Sequence, residues 1–143
     1  MDVGLDMSNL NESMTCFYID TVKDYAGEEP FNNDLQTMRK MIGDNCIKVT
    51  MRIIGGHKFR IISANKSKDT ANKVSALDKN GNEMFEGNLI ILGDRVTKSG
   101  RPGLRTLSEE EKEILLDNLG LMLVRDGDRS ENAYCICNME TGQ

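Results

Sequence analysis

Arg95, Lys98, Arg101 and Arg105 fall within an eleven-residue stretch, 95–105, that contains no acid. A guanidinium fork matches two phosphate oxygens at once, and a lysine adds a compact point charge. Gly100 and Gly103 in the same stretch leave backbone amides open to an anion. The chemistry implied is oxyanion binding, with Arg101 and Arg105 on a diphosphate and Arg95 and Lys98 adding charge. Phe85 and Asn88, a few residues upstream, supply a ring to stack a base and an amide to bond a ribose or base. Two plainer roles compete with these. The stretch could be a solvated loop balancing the acids at 109–113, and Phe85 could pack in a core. Arg52, Lys58 and Arg60 are expected to share an outward face and to add charge.

Catalytic chemistry finds less to work with. A serine or cysteine nucleophile needs a base beside it, and His57, the single histidine, falls at an expected hairpin tip. Lys98-Ser99 has glycines on the wrong sides for a phosphate loop, which places its Gly immediately before Lys-[ST]. In 78–88 the glycine of a calcium loop would be sixth and an acid twelfth, whereas Gly81 is fourth and Leu89 twelfth. Cys16, Cys46, Cys135 and Cys137 show no CxxC pairing and read as free thiols. The expectation is therefore no enzyme, no metal and no cofactor.

The elements that must carry these residues follow from pattern. At 143 residues the chain fits one domain, 14–143, preceded by a loose or partner-docking arm, 1–13. With 38% hydrophobic and 29% charged residues it has a core to bury and no apolar run near the ~20 residues needed to span a bilayer. Without a basic n-region and apolar h-region a cytoplasmic location is expected, with no membrane partner. A net charge of −5 argues against nucleic acid as a partner.

Residues 15–19 read as a strand and 23–31 as a loop. Asn32 or Asn33 should cap a helix running to Ile42, with Gly43 as its left-handed stop. Ile47, Val49, Met51 and Ile53 alternate with Lys48, Thr50 and Arg52, and Gly55-Gly56 turns the chain into Phe59 and Ile61, a β-hairpin. After a polar loop at 65–73, residues 74–77 form a strand. Asn80-Gly81 turns it into a strand over 83–92, interrupted at Gly87. Ser108 and Glu111 make a capping box for a helix reaching Gly120, and 121–125 with 133–137 form a last hairpin. The fold class expected is α+β: a mainly antiparallel sheet with two short helices on one face.

The runs NNDLQTMRKMIGDNCIKV, LDKNGNEMFEGNLIILG and TLSEEEKEIL resemble a family of small bacteriophage proteins that carry a domain of unknown function. The resemblance covers about residues 33–117. The basic loop, the N-terminal extension and the final hairpin depart from it. More loosely, the chain is similar to phage anti-defence sponges of the anti-Thoeris type, which hold nucleotide signals intact. That similarity implies a phage protein in the host cytoplasm that binds and sequesters a phosphorylated nucleotide signal such as a cyclic ADP-ribose isomer. A small-molecule nucleotide partner and a homo-oligomer are the accompanying expectations. The alternative is a protein–protein inhibitor or accessory subunit that uses the acidic helix and the arm on a host protein.

Overall fold

The alternating Ile, Val and Met run does what its period dictates. Strand β3 (Ile47–Ile54) turns at Gly55 and Gly56, both at positive φ, into β4 (His57–Ala64). Gly55 is needed twice over. Its φ is +57°, and a Cβ there would stand 2.9 Å from Ile114 of the second helix. The computed structural model describes residues 4–65, 73–126 and 129–142. The expected 65–73 loop lies almost wholly outside that range, as does the tip of the last hairpin.

The remaining elements in chain order are β1 (Ser13–Asp20), β2 (Tyr25–Asn32), α1 (Leu35–Ile42), then β5 (Val74–Leu77), β6 (Glu83–Glu86), β7 (Leu89–Arg95) and β8 (Gly103–Arg105). After them come α2 (Glu109–Asp117), β9 (Leu119–Asp126), β10 (Arg129–Ile136) and β11 (Met139–Thr141). A seven-stranded sheet runs β11-β3-β4-β7-β1-β2, with β8 beside the far end of β7, and a four-stranded sheet runs β6-β5-β10-β9. Every pairing is antiparallel except β5 with β10. This is the α+β, mainly antiparallel class the sequence led us to expect.

The helices, however, take opposite faces of the large sheet. Met38 and Ile42 of α1 pack with Cys16, Ile62 and Ile90, whereas Leu115 of α2 packs with Phe17, Ile61 and Ile91. Neighbours 61 and 62, or 90 and 91, point to opposite faces of a strand, so each face carries its own core. The small sheet shares the α2 face through Ala76, Phe85 and Ile136.

Local departures have local causes. Residues 25–32 form strand β2, paired along its whole length with β1, where a loop was expected. As the sheet's edge, β2 tolerates Pro30 and its glutamates, features typical of edge strands. Helix α1 is capped by Asp34, which accepts the Thr37 amide at 2.7 Å. The expected cap Asn33 is buried and donates to Asn9 Oδ1 at 2.9 Å instead. Gly43, at φ +78°, does end the helix. The capping box of Ser108 and Glu111 is complete, but α2 stops at Asp117 rather than Gly120. Asn118 folds its side-chain amide back onto the Ile114 carbonyl at 2.8 Å, and its own carbonyl accepts the Cys137 amide at 2.7 Å. That pulls Leu119 into the sheet. Residues 93–105, read as one loop, are largely a hairpin, because Gly93 to Arg95 pair with Arg105 to Gly103. Among the described residues no helix is long and apolar enough to cross a membrane.

Candidate functional site

The basic stretch meets carboxylates of its own chain. Arg105 makes two bonds to Glu111, Nη1 to Oε1 at 2.6 Å and Nη2 to Oε2 at 2.8 Å. Glu111 is 4% exposed. Burial alone would raise its pKa, but the bonds from Arg105 and Ser108 overcome that and hold it below the usual carboxylate range. Gly93 makes the pairing possible, since a Cβ there would collide with the Arg105 guanidinium. Arg60 Nε likewise meets Asp94 Oδ1 at 2.8 Å.

Arg95 is held by the N-terminal segment. Its Nη2 donates to Asn9 Oδ1 at 3.0 Å and to Asp6 Oδ1 at 3.3 Å. Ser99 Oγ donates to the other Asp6 oxygen at 2.7 Å. Hydrogen bonds from Ser8 and Ser99, then Arg95, keep Asp6 ionised far below the usual carboxylate range. Leu5, 1% exposed, is sunk in the α1-side core next to it. Residues 4–12 thus lie along the body, and Asp6 occupies the anion position of the loop. The Asp6→Ala chain is expected to melt a few degrees lower, and millimolar acetate or phosphate to restore part of the loss. An Arg95→Ala chain should show no such rescue. Thermal melts with and without the anion, against chloride at equal ionic strength, check this.

Lys98 and Arg101 are exposed at the hairpin tip. The six residues chosen from sequence do not come together. Arg95 and Arg101 line a shallow cleft of 220 Å³ with Arg60 and Thr97. Asn88 lines a different cleft of 550 Å³ with Tyr18, Asp20, Thr37 and Lys40. Its amide is already committed, as it donates to Tyr18 Oη and the Met41 carbonyl and accepts from Thr21 N and Oγ1. Phe85 belongs to the α2-side core and is only 7% exposed.

Phe85 leads to a group that pattern reading passed over. The guanidinium of Arg52 lies 5.2 Å from the Phe85 ring centre, and Lys48 Nζ lies 5.9 Å from it. Both come from β3, on the face that also carries Phe59 and Ser63 of β4, because Arg52 pairs with Phe59 and Lys48 with Ser63. Arg52 therefore parts company with Lys58 and Arg60, which fall on the other face. The side chain of Arg52 is partly desolvated, which lowers its pKa, though an arginine stays charged at neutral pH. Its Nη1 donates to the neighbouring Met51 carbonyl at 3.0 Å, and its Nε has no partner among the described residues. Ser63 is 1% exposed, and its Oγ also lacks a partner among the described residues. No described carboxylate pairs with Arg52 or Lys48.

Of these groups, Lys48, Ser63 and Phe85 line a cleft of 230 Å³ with Asn65, Glu83 and Glu86, while Arg52 reaches the same Phe85 ring. Two cations at one ring, a hydroxyl with no partner among the described residues and the acceptors of Glu83 and Glu86 in the lining make a site able to seat an oxyanion attached to a hydroxyl-bearing group. In the sequence, Lys48-Thr50-Arg52 reads as a strand's wet face. Only the second sheet, which brings Phe85 over that face, changes the meaning. No family model, no curated protein and no solved structure matches this chain.

Proposed function

We propose that the protein binds and holds a small phosphorylated, nucleotide-type ligand without breaking it, with the phosphate at Arg52, Lys48 and Ser63. The role that goes with this is sequestration of an immune signal such as a cyclic ADP-ribose isomer in the host cell cytoplasm. The observation that carries the reading is the contrast between two sets of cations. Arg60, Arg95 and Arg105 each meet an internal carboxylate, whereas Arg52 and Lys48 share an aromatic ring beside a buried hydroxyl with no partner among the described residues. A buried donor left unmade costs about 1–3 kcal/mol, and a desolvated cation lacking a counter-charge adds to that. A bound phosphate would recover both terms at once.

A cleft of 230 Å³ is smaller than the roughly 300–1,000 Å³ of a site enclosing a drug-sized molecule. It suits a phosphate with its adjoining sugar, the rest of the ligand lying outside or covered by a second copy of the chain. The test is a thermal-shift panel of inorganic phosphate, ribose 5-phosphate, nucleoside monophosphates, cyclic nucleotides and cyclic ADP-ribose isomers, followed by analysis of what heat denaturation releases. A shift of several degrees with the compound recovered intact is the expected result. Recovery of a cleaved product means turnover, and no shift with any phosphorylated compound overturns the reading.

A further inference from the structure

Cys135 lies at the end of β10 and Cys137 just past it, with their sulfurs 3.9 Å apart. Ile136 between them faces the α2-side core, so Cys135 points to the other face of the small sheet, and the Cys137 sulfur meets it there. Cys135 is fully buried and Cys137 half-buried. The residue opposite Cys135 on β9 is Gly120. A Cβ at that position would stand 3.1 Å from the Cys137 sulfur and 3.7 Å from the Cys135 sulfur. The space where the two thiols meet thus exists because residue 120 has no side chain. On the other flank the parallel register, Ile136 beside Ala76, sets Ser75 next to Cys135. Ser75 is fully buried, and its Oγ has no partner among the described residues.

The pair is poorly built for a disulfide. Residues two apart on a strand have Cα atoms roughly 6.8 Å apart, at the far limit of what a disulfide spans, and the sulfurs would have to close to about 2.05 Å. A bridging ion asks for no such movement. With metal–thiolate bonds of about 2.3 Å, tetrahedral to linear angles at the metal hold two sulfurs roughly 3.8–4.6 Å apart. We infer that Cys135 and Cys137 form a two-sulfur site for a soft, thiophilic ion of the copper(I) class. Thiolate is the ligand type that selects such ions. Loading converts two thiols and one copper(I) into a bis-thiolate complex and releases two protons, with no change of oxidation state. Because loading releases protons, uptake strengthens as pH rises.

The experiment is anaerobic copper(I) competition between the reduced full chain and a chromophoric copper(I) chelator. The wild-type and Cys46→Ser chains are expected to retain one ion each, the latter because Cys46 is the exposed thiol and lies apart from the pair. Cys137→Ser, a change at a half-buried position that leaves the core intact, is expected to retain none while keeping its circular dichroism. Gly120→Val should weaken retention by filling the gap. Retention by Cys137→Ser equal to wild type, or loss of all copper from wild type to the chelator, overturns the site. So does peroxide-driven loss of two hydrogens in the intact mass, with no copper held, which would make the pair a redox couple.

Discussion

Replacing Arg52 with glutamine is expected to weaken binding of ribose 5-phosphate, or of whichever phosphorylated compound shifts the melt most, by roughly thirty-fold to several thousand-fold. That range is the 2–5 kcal/mol typical of removing one partner from a desolvated charge pair, expressed as affinity. The same change should leave stability almost untouched. Without ligand, Arg52 has one backbone acceptor and the Phe85 ring. Losing the ring contact costs about 0.5–1 kcal/mol. Removing a half-buried cation that has no described counter-charge gives something of similar size back. The melting temperature should therefore move by no more than a few degrees in either direction. Calorimetric titration and a melt on the same sample separate the two readouts. Arg52→Lys keeps the charge but loses the fork and should fall between. The reverse pattern, a large loss of melting temperature with unchanged affinity, would make Arg52 a structural cover for Phe85 and remove the phosphate from this cleft.

The distance between sequence and site is instructive at Arg52. Period-two alternation identified β3 and β4 and their Gly55-Gly56 turn, because hydrophobic pattern and turn chemistry are local properties. The capping box at Ser108 and the break at Gly87 were legible for the same reason. What pattern could not supply is which strand lies over which. Lys48 is exposed, as its pattern implies, but Arg52 is half-buried, because nothing local reveals that β6 brings Phe85 across this face, and the two helices were placed on one face because a single alternating run does not reveal that both faces are covered. The basic stretch shows the opposite error. Its composition implied an anion, and an anion is there, but it is Asp6 and Glu111 of the same chain. A count of charges along the sequence cannot separate a loop awaiting a ligand from one neutralised by residues 89 or 6 positions away.

Asn88 carries the last prediction, and the largest expected effect on the fold. Its side chain can donate twice and accept twice, and all four capacities are filled within the chain. The amide donates to the Met41 carbonyl at 2.9 Å and to Tyr18 Oη at 3.1 Å, while its oxygen accepts from Thr21 N at 2.8 Å and Thr21 Oγ1 at 3.0 Å. Asn88 therefore ties the end of β1 and the last turn of α1 to the bend that separates β6 from β7. Asn88→Ala leaves the amide and the hydroxyl of Thr21, a buried residue, without their acceptor, while the Met41 carbonyl keeps its bond from Tyr18 Oη, and at about 1–3 kcal/mol for each unmade group it should cost about 3–5 kcal/mol. For a domain of this size that lowers the melting temperature by roughly 10–15 °C, a large part of a total stability of about 5–15 kcal/mol. Asn88→Asp discriminates further. It keeps both bonds from Thr21 but turns an ionised oxygen toward the Met41 carbonyl, so its carboxyl pKa should be raised in the folded state. Such a group stabilises the fold while protonated, so the stability of Asn88→Asp relative to wild type should rise as pH falls through that raised pKa and decline above it. Melts of the three chains from pH 4 to pH 8 measure this. A ligand-binding Asn88 would instead leave the melts of both variants close to wild type and show its loss only when a nucleotide is added.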